Sequence, residues 1–550
     1  MTQHDSESVI IALSENHDAS VAVWGGTVEL TALATERVTR VKHDSAGITR
    51  TIDYLLETLA ISHDQVRLLV RCNDPVAVPP TALAARDRQL HQRFPHARWL
   101  TGANHHELHA LAARQLNPSS DGAILVVDGM GSRLPGTRDS KSDSTLYECT
   151  TIFDARNISR LLSVGTTHNS YEWETEHIGL GRLYSYVSKH IFGSRYDAGK
   201  TMALAAYGNA SAYKSFLTYN GQPKIPSISG CDLAILEPEP NSQSEYMEWA
   251  DLAARTQQDI EDGMLAFAQL AAQLAPGHTL FVSGGVALNC PSNEVIRNSG
   301  LFAETLIHPA ATDDGISLGG IVLGAQESGI AHQLPSFTDP FIGPPIMAQR
   351  DRLLAAASRT SCRITLSLAD SLAVCVANEL REGRLIALYC GRSEFGPRAL
   401  GHRSLIASPS STAVRDYINT HVKDRETFRP LAPAILQDRV ADYFDVCMDF
   451  ENPYMLLTAR ANAITRTLCP AVVHIDGTAR VQTVTRGATE EPLSSILESL
   501  EAAGQPPIVL NTSLNRKGQP IVETPEEAFE LFTSSPIEIL YTPGLLLYKE

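Results

Sequence analysis

Two histidines stand four residues apart in Asn104-His-His-Glu-Leu-His109. On a helix, His105 and His109 would share a face and could hold one metal ion. The plainer reading is a pair of helix-surface histidines. Two acidic turns favour the metal: Asp128-Gly129 after an apolar run, and Thr312-Asp-Asp-Gly315 before another. Imidazoles combined with carboxylates suit iron, zinc or manganese better than calcium. A glycine-bearing stretch, Val282-Ser-Gly-Gly-Val-Ala-Leu-Asn289, would let backbone amides approach phosphate or ribose, or would simply make a tight turn.

The densest signal lies in residues 391–430, with six arginines and one lysine against four acids. This local positive excess sits in a chain of net charge −17. Guanidinium forks match phosphate and carboxylate geometry. Gly396-Pro-Arg-Ala-Leu-Gly-His-Arg403 and Phe428-Arg-Pro430 set arginines beside rigid turn residues, as a preorganised anion site requires. The alternative is a solvated basic face. His474-Ile-Asp-Gly-Thr-Ala-Arg480 and Leu510-Asn-Thr-Ser-Leu-Asn515 follow apolar runs and would supply a second wall. Gly193-Ser-Arg-Tyr-Asp-Ala-Gly-Lys-Thr201 resembles a phosphate-binding P-loop but has five residues between its glycines instead of four, so that reading is rejected.

These residues need elements to position them. Two stretches read alike. Val9–Leu13, Glu15-Asn-His-Asp18 and Ser20–Trp24 with Thr27–Leu30 form one; Ala123–Val127, Asp128-Gly-Met-Gly-Ser132 and Thr145–Phe153 form the other. Each predicts strand, acid-bearing loop and returning strand. Helical periodicity follows at Ile52–Leu59, Leu108–Leu116 and Leu252–Leu274. Duplicated units of this kind predict a two-lobed α/β fold of the actin and sugar-kinase type. The four prolines of residues 334–346 read as a boundary. Beyond it, a helix at Ser371–Glu382 and strands at Leu385–Tyr389, Ala471–Ile475 and Pro507–Leu510 predict an α+β domain.

With 550 residues, two to four domains are expected at about 150 residues each. The acidic balance argues against a general nucleic-acid binder and against a polybasic membrane-surface protein. Nine scattered cysteines without a C-x-x-C pair argue against disulfides or thiolate zinc. The polar start reads as no signal peptide, and no apolar run approaches membrane-spanning length, so a cytoplasmic location is expected.

Taken together the motifs resemble the O-carbamoyltransferase family of nodulation protein U and the cephamycin and tobramycin carbamoyltransferases. The residues that carry the resemblance span almost the whole chain. They are His17-Asp-Ala-Ser20, Glu36–His43, His105–His109, Asp128-Gly129, Gly199–Gly208, Ser283–Asn289, Asp313-Asp-Gly315, Gly391–Ser404, Phe428-Arg-Pro430, His474–Arg480 and Asn511–Asn515. Glu394-Phe-Gly-Pro-Arg-Ala-Leu-Gly401 is the most specific string.

The resemblance implies an actin-like (ASKHA), threonylcarbamoyl-transferase-like domain over 1–340 and a YrdC-like domain over 346–550. The second would make carbamoyl-adenylate from carbamoyl phosphate and ATP with Mg²⁺; the first would transfer the carbamoyl group to an acceptor hydroxyl. It implies that His105, His109, Asp128 and Asp313 hold a metal, Fe²⁺ in first place, with Asp313 favoured over Asp314. Arg398, Lys423, Arg429, Met455, Arg480, Asn511 and Ser513 would bind carbamoyl phosphate and ATP. Gly199, Lys200, Ser283, Gly284, Gly285 and Asn289 would bind the adenylate in the N-terminal domain; Ala198 departs from the acid usual before Gly199-Lys200. His17, Asp18 and Lys42 would line the transfer site, with His17 the candidate base. The expected partner is a small hydroxylated metabolite; a symmetric homodimer is the default assembly. The rivals are an actin-like kinase or ATPase and a non-catalytic nucleotide-sensing module.

Overall fold

The computed structural model describes every residue except 1–7, 73–79, 139–144, 168–177, 222–223, 229–245, 367–368, 489–490 and 550. The polar start on which the signal-peptide reading rests, and Cys231, lie outside the described residues. The chain divides into two compact units, residues 1–32 with 61–339, and residues 33–60 with 340–550.

The first unit repeats one sheet pattern. Strands β1 (Val9–Ser14), β2 (Ser20–Gly25), β3 (Val28–Ala34), β4 (Val66–Arg71) and β5 (Arg98–Leu100) lie in the order β3-β2-β1-β4-β5. The second sheet uses β6 (Gly122–Val127), β7 (Arg133–Arg138), β8 (Thr145–Asp154) and β9 (Ser159–Thr167). After a hairpin of β10 (Leu217–Asn220) and β11 (Ile225–Ile228), it adds β12 (Thr279–Ser283) and β13 (Glu304–Ile307). Its order is β13-β12-β6-β8-β7, with β9 also on β8. In both sheets a central strand pairs antiparallel on one side and parallel on the other: β1 with β2 and β4, β6 with β8 and β12. The two similar stretches of sequence are the two central hairpins, and the strand order itself is the actin-like architecture expected.

Helix His105–Arg114 packs on the second sheet and helix Ile316–Glu327 on the first, and the two helices pack on each other. Ile316, Leu318, Ile321 and Val322 are buried on every side, each removing roughly 1.5–3 kcal/mol of apolar surface from water. At Gly319 a Cβ would collide with the Leu108 carbonyl. Only glycine permits this approach, which draws the N-terminal ends of both helices together.

The second unit is built on a mixed sheet. Its strands are β14 (Cys362–Leu366), β15 (Ile386–Tyr389), β16 (Arg403–Ala407) and β17 (Ala432–Leu436); a small pair, β18 (Ala459–Arg460) and β19 (Thr478–Ala479), follows. The main sheet continues with β20 (Gln482–Val484), β21 (Ile508–Ser513), β22 (Ile539–Thr542) and β23 (Leu545–Lys549). The order is β14-β23-β22-β15-β16-β21-β17-β20. Leu372, Val376, Leu388, Ile406 and Leu497 form its core, under helices Ala369–Arg381 and Pro492–Ala502.

Two expectations change. Ala471–Ile475 is no strand: Pro470 lacks an N–H for a ladder and instead opens one 3₁₀ turn, Pro470–Val472. Residues 33–60 belong with the second unit, not with the first 340 residues as a block. Electrostatics explains this. Arg37, 4% exposed, stands 3.7 Å from Glu523 and donates to the Glu394 carbonyl at 3.1 Å. Arg40 donates to the Ile521 and Pro520 carbonyls at 2.7 and 2.9 Å. Removing one partner of a buried ion pair costs about 3–5 kcal/mol. Arg37→Ala is therefore expected to lose that much stability, read by chemical denaturation.

Candidate active site

The loops after β1 and β6 meet the N-termini of the two packed helices. His105 opens helix His105–Arg114 behind an Asn104 cap whose side chain accepts from the Glu107 amide. His109 follows one turn later on the same face. Asp128 follows β6 directly, and Asp313 precedes helix Ile316–Glu327. His105 Nε2 lies 3.0 Å from Asp128 Oδ2 and 3.4 Å from Asp313 Oδ1; His109 Nε2 lies 3.8 and 3.7 Å from the same atoms. One ligand atom from each of the four falls within 4.8 Å of the others.

Each residue is held from behind. Asp128 Oδ1 accepts the amides of Gly129 at 2.7 Å and Gly285 at 3.2 Å, which turns Oδ2 toward the histidines. Gly284, at φ 92, makes that turn; a Cβ there would strike the Val127 backbone. His109 Nδ1 meets Ser283 Oγ at 3.1 Å, leaving Nε2 buried and without a hydrogen-bond partner. Asn16 donates to Asp313 Oδ2 at 2.9 Å and touches His105 Nδ1 at 3.3 Å. Two imidazoles and two carboxylates, oriented this way, fit one divalent transition-metal ion.

Burial opposes a charge on His105, yet Asp313 and Asp128 outweigh it and push its pKa up to about 10. A cation entering the quartet must displace that proton. Metal affinity should therefore rise with pH toward 10, and uptake at pH 7 should release protons. Calorimetry in buffers of different ionisation enthalpy reads the number released; uptake without proton release would contradict this protonation state.

His17 lies beside the quartet, half exposed. Its Nε2 is 3.3 Å from Asp18 and its Nδ1 3.6 Å from Asp313, with Tyr196 packed at 5.6 Å between ring centroids. Burial opposes its charge, but Asp18, Asp313 and Asp128 raise its pKa above the ordinary value.

In the second unit a π-helical turn, Ile418–Val422, leads into Lys423. The Lys423 ammonium is buried among neutral oxygens: the Ser513 carbonyl, Ser513 Oγ at 3.2 Å, the Asn515 carbonyl at 3.1 Å and Asn515 Oδ1 at 2.8 Å. Burial, then Arg425, Arg429 and Lys42, hold its pKa well below the usual lysine value. Burial with Arg429 and Arg480 pushes Arg425 down to about 9. Glu426 stands 4.0 Å from Arg429 and 3.7 Å from Lys517, and Asp424 lies between Lys423 and Arg425 in the chain. Arg398 is half-buried in the loop before β16, whose Ala399 and Leu400 carbonyls accept from Asn511 at 3.3 Å and Gln482 at 2.7 Å. Met455 is buried against Leu400 and Ala432.

A family model described as the carbamoyltransferase C-terminus matches residues 377–549, and one described as the carbamoyltransferase N-terminus matches residues 228–322. The chain belongs to the carbamoyltransferase family. It is 28% identical to nodulation protein NolNO of Sinorhizobium fredii over 97% of this chain and 79% of that one. It is 34% identical to a 3'-hydroxymethylcephem-O-carbamoyltransferase of Streptomyces clavuligerus over 58% of this chain and 59% of that one. Among solved structures, HypF of T. kodakarensis is similar at 14% identity and a TM-score of 0.35, covering 59% of this chain and 48% of that one.

This carbamoyltransferase gathers His105, His109, Asp128 and Asp313 in one quartet, with His17 and Asp18 beside it. Asp314 turns away and accepts from Thr312 and, at 3.0 Å, from the Gly315 amide. Lys42 belongs to the second unit, within electrostatic reach of Lys423. Ser283, Gly284 and Gly285 brace the quartet. Asn289 caps helix Cys290–Asn298 and pairs reciprocally with Gln257. Lys200 is tied to Asp197 at 3.0 Å, while the space over Gly199 is open. Gly193 merely ends helix Leu180–Phe192, in keeping with no P-loop. Sequence reasoning missed Asn16, Gln482 and Arg425; of these only Arg425 left a trace, as one charge in the basic segment. Among the described residues no helix is long and apolar enough to cross a membrane.

Proposed function

We propose that this carbamoyltransferase is driven by ATP and carbamoyl phosphate and works in two steps. In the second unit, water releases carbamate and phosphate from carbamoyl phosphate. A carbamate oxygen then attacks the α-phosphorus of ATP, the bond to the β-phosphate bridge breaks, and pyrophosphate leaves with carbamoyl-adenylate behind. The observation that carries this reading is the cluster of cations: Arg425 and Arg429 act on buried Lys423, and Arg429 and Arg480 act on Arg425, a concentration of positive charge that a polyphosphate would satisfy. The YrdC-like character of this domain is part of the same proposal.

In the first unit an acceptor hydroxyl attacks the carbamoyl carbon, its proton passes to His17, and AMP leaves. Asp18 orients the imidazole and stabilises the imidazolium. His105, His109, Asp128 and Asp313 would hold a divalent cation, Fe²⁺ in first place, which when bound would supply positive charge toward the adenylate and offset the carboxylates facing His17. Gly199 and Lys200 are the proposed contacts for the adenylate in this unit. The acceptor is a small hydroxylated metabolite, the class to which the cephem of the Streptomyces relative belongs by name.

Incubation with carbamoyl phosphate and Mg-ATP tests the reading. Pyrophosphate and AMP support it, ADP marks a kinase, and no turnover of either co-substrate marks a sensor. A panel of hydroxylated metabolites, searched by mass spectrometry for a carbamoyl gain, then identifies the acceptor.

A further inference from the structure

The π-helical turn before Lys423 contains Asn419, whose side chain is fully buried. Lys423 N–H reaches back to the Ile418 carbonyl at 2.8 Å, and Arg425 N–H to the Asn419 carbonyl at 2.9 Å. Asp424, between them, takes a left-handed φ of 47. This strained reversal sets three cations, Lys423, Arg425 and Arg429, on one short loop. Strain of this kind persists only where surrounding bonds enforce it.

The enforcing bonds come from Asn419. Its Oδ1 accepts from Arg425 Nε at 2.8 Å. Its Nδ2 donates to the Arg429 carbonyl at 2.9 Å and to the Thr427 carbonyl at 3.5 Å. One amide therefore binds the guanidinium of one arginine and the backbone of the other. A carboxylate at this point would also hold Arg425, but it would cancel the charge that an anion needs. A neutral amide fixes the loop and leaves its charge intact.

We propose that Asn419 is the positioning residue of the anion site: it holds Arg425 and Arg429 against their mutual repulsion, poised for the phosphate groups of the substrate. The inference rests on the function proposed above, in which this loop binds carbamoyl phosphate and ATP.

The test compares the full-length protein with Asn419→Asp and Asn419→Ala. Each is first melted without phosphate to establish folding, then titrated calorimetrically with inorganic phosphate and assayed for carbamoyl-phosphate-dependent pyrophosphate release. Asn419→Asp keeps the volume and the bond to Arg425 but sets an oxygen against the Arg429 and Thr427 carbonyls, so its melt is read beside that of Asn419→Ala. It should weaken phosphate binding by about tenfold or more and raise KM for carbamoyl phosphate in parallel, the rise in KM exceeding any fall in kcat. Asn419→Ala should show the same split. Phosphate affinity equal to wild type in both variants would overturn the proposal, as would a lower kcat at unchanged KM. Failure of both to fold would make Asn419 purely structural and overturn it too. If the unsubstituted protein binds no phosphate, the anion-site reading itself falls, an outcome distinct from the others because it needs no variant.

Discussion

On the proposed mechanism, Arg429→Ala is expected to stop pyrophosphate release from ATP in the presence of carbamoyl phosphate and to leave the chain folded. The side chain is 30% exposed and its ion pair with Glu426 spans 4.0 Å, a part-exposed pair of the kind that contributes little to stability. What it would remove, if the loop binds the co-substrates as proposed, is a phosphate contact. A charge-assisted hydrogen bond contributes about 1.5–3 kcal/mol to a bound ground state, and donors aimed at developing charge contribute more, on the order of 10²–10³ in rate. Arg398→Ala and Arg480→Ala should behave alike. His17→Ala, in the other unit, should keep making pyrophosphate while acceptor carbamoylation falls by roughly 10²–10⁴. ATP–pyrophosphate exchange and acceptor mass spectrometry, run on all four variants, read both halves. Wild-type exchange in Arg429→Ala would remove this loop from the chemistry; loss of exchange in His17→Ala would end the division of labour between the units.

The second large effect concerns the quartet. His105→Ala and His109→Ala should each lose about one equivalent of bound divalent metal, measured by elemental analysis of purified protein. His105→Ala should also be the less stable of the two. His105 is the chief partner that keeps both Asp128 and Asp313 ionised well below the usual carboxylate range; without it two buried carboxylates face each other. His109→Gln, which preserves volume, separates metal loss from any folding defect. Metal content equal to wild type in every variant would return these histidines to a structural role.

Much of the first unit was legible because its information is local. An apolar run, an acid-bearing turn and a returning strand appear twice in the sequence, and the i, i+4 histidines declare their shared face. Asn16 was not legible because its partner, Asp313, lies 297 residues away. Ser283 was read as a ligand-binding residue of a Gly-Gly turn; only the fold shows its hydroxyl behind His109. The misread strand at Ala471–Ile475 shows β-branched composition yielding to one proline. Asn419 carried no signal, since an asparagine in a polar helix end is unremarkable until a loop closes over it.

The Leu33–Ala60 excursion has a consequence for the order of assembly. It is synthesised early, yet its partners come last: Arg40 donates to a carbonyl 481 residues further on. At about 5–20 residues per second, the ribosome needs roughly 25–100 s to deliver that partner. Throughout that interval helix Ile48–Thr58, whose Ile48, Ile52, Leu55 and Leu56 are buried in the finished fold, lacks the chain beyond residue 340 with which it forms one unit. The first unit can finish its own chain at residue 339 and close before the second exists. The excursion then awaits the rest of its own unit, and a fragment begun at residue 340 would lack the segment that completes that unit.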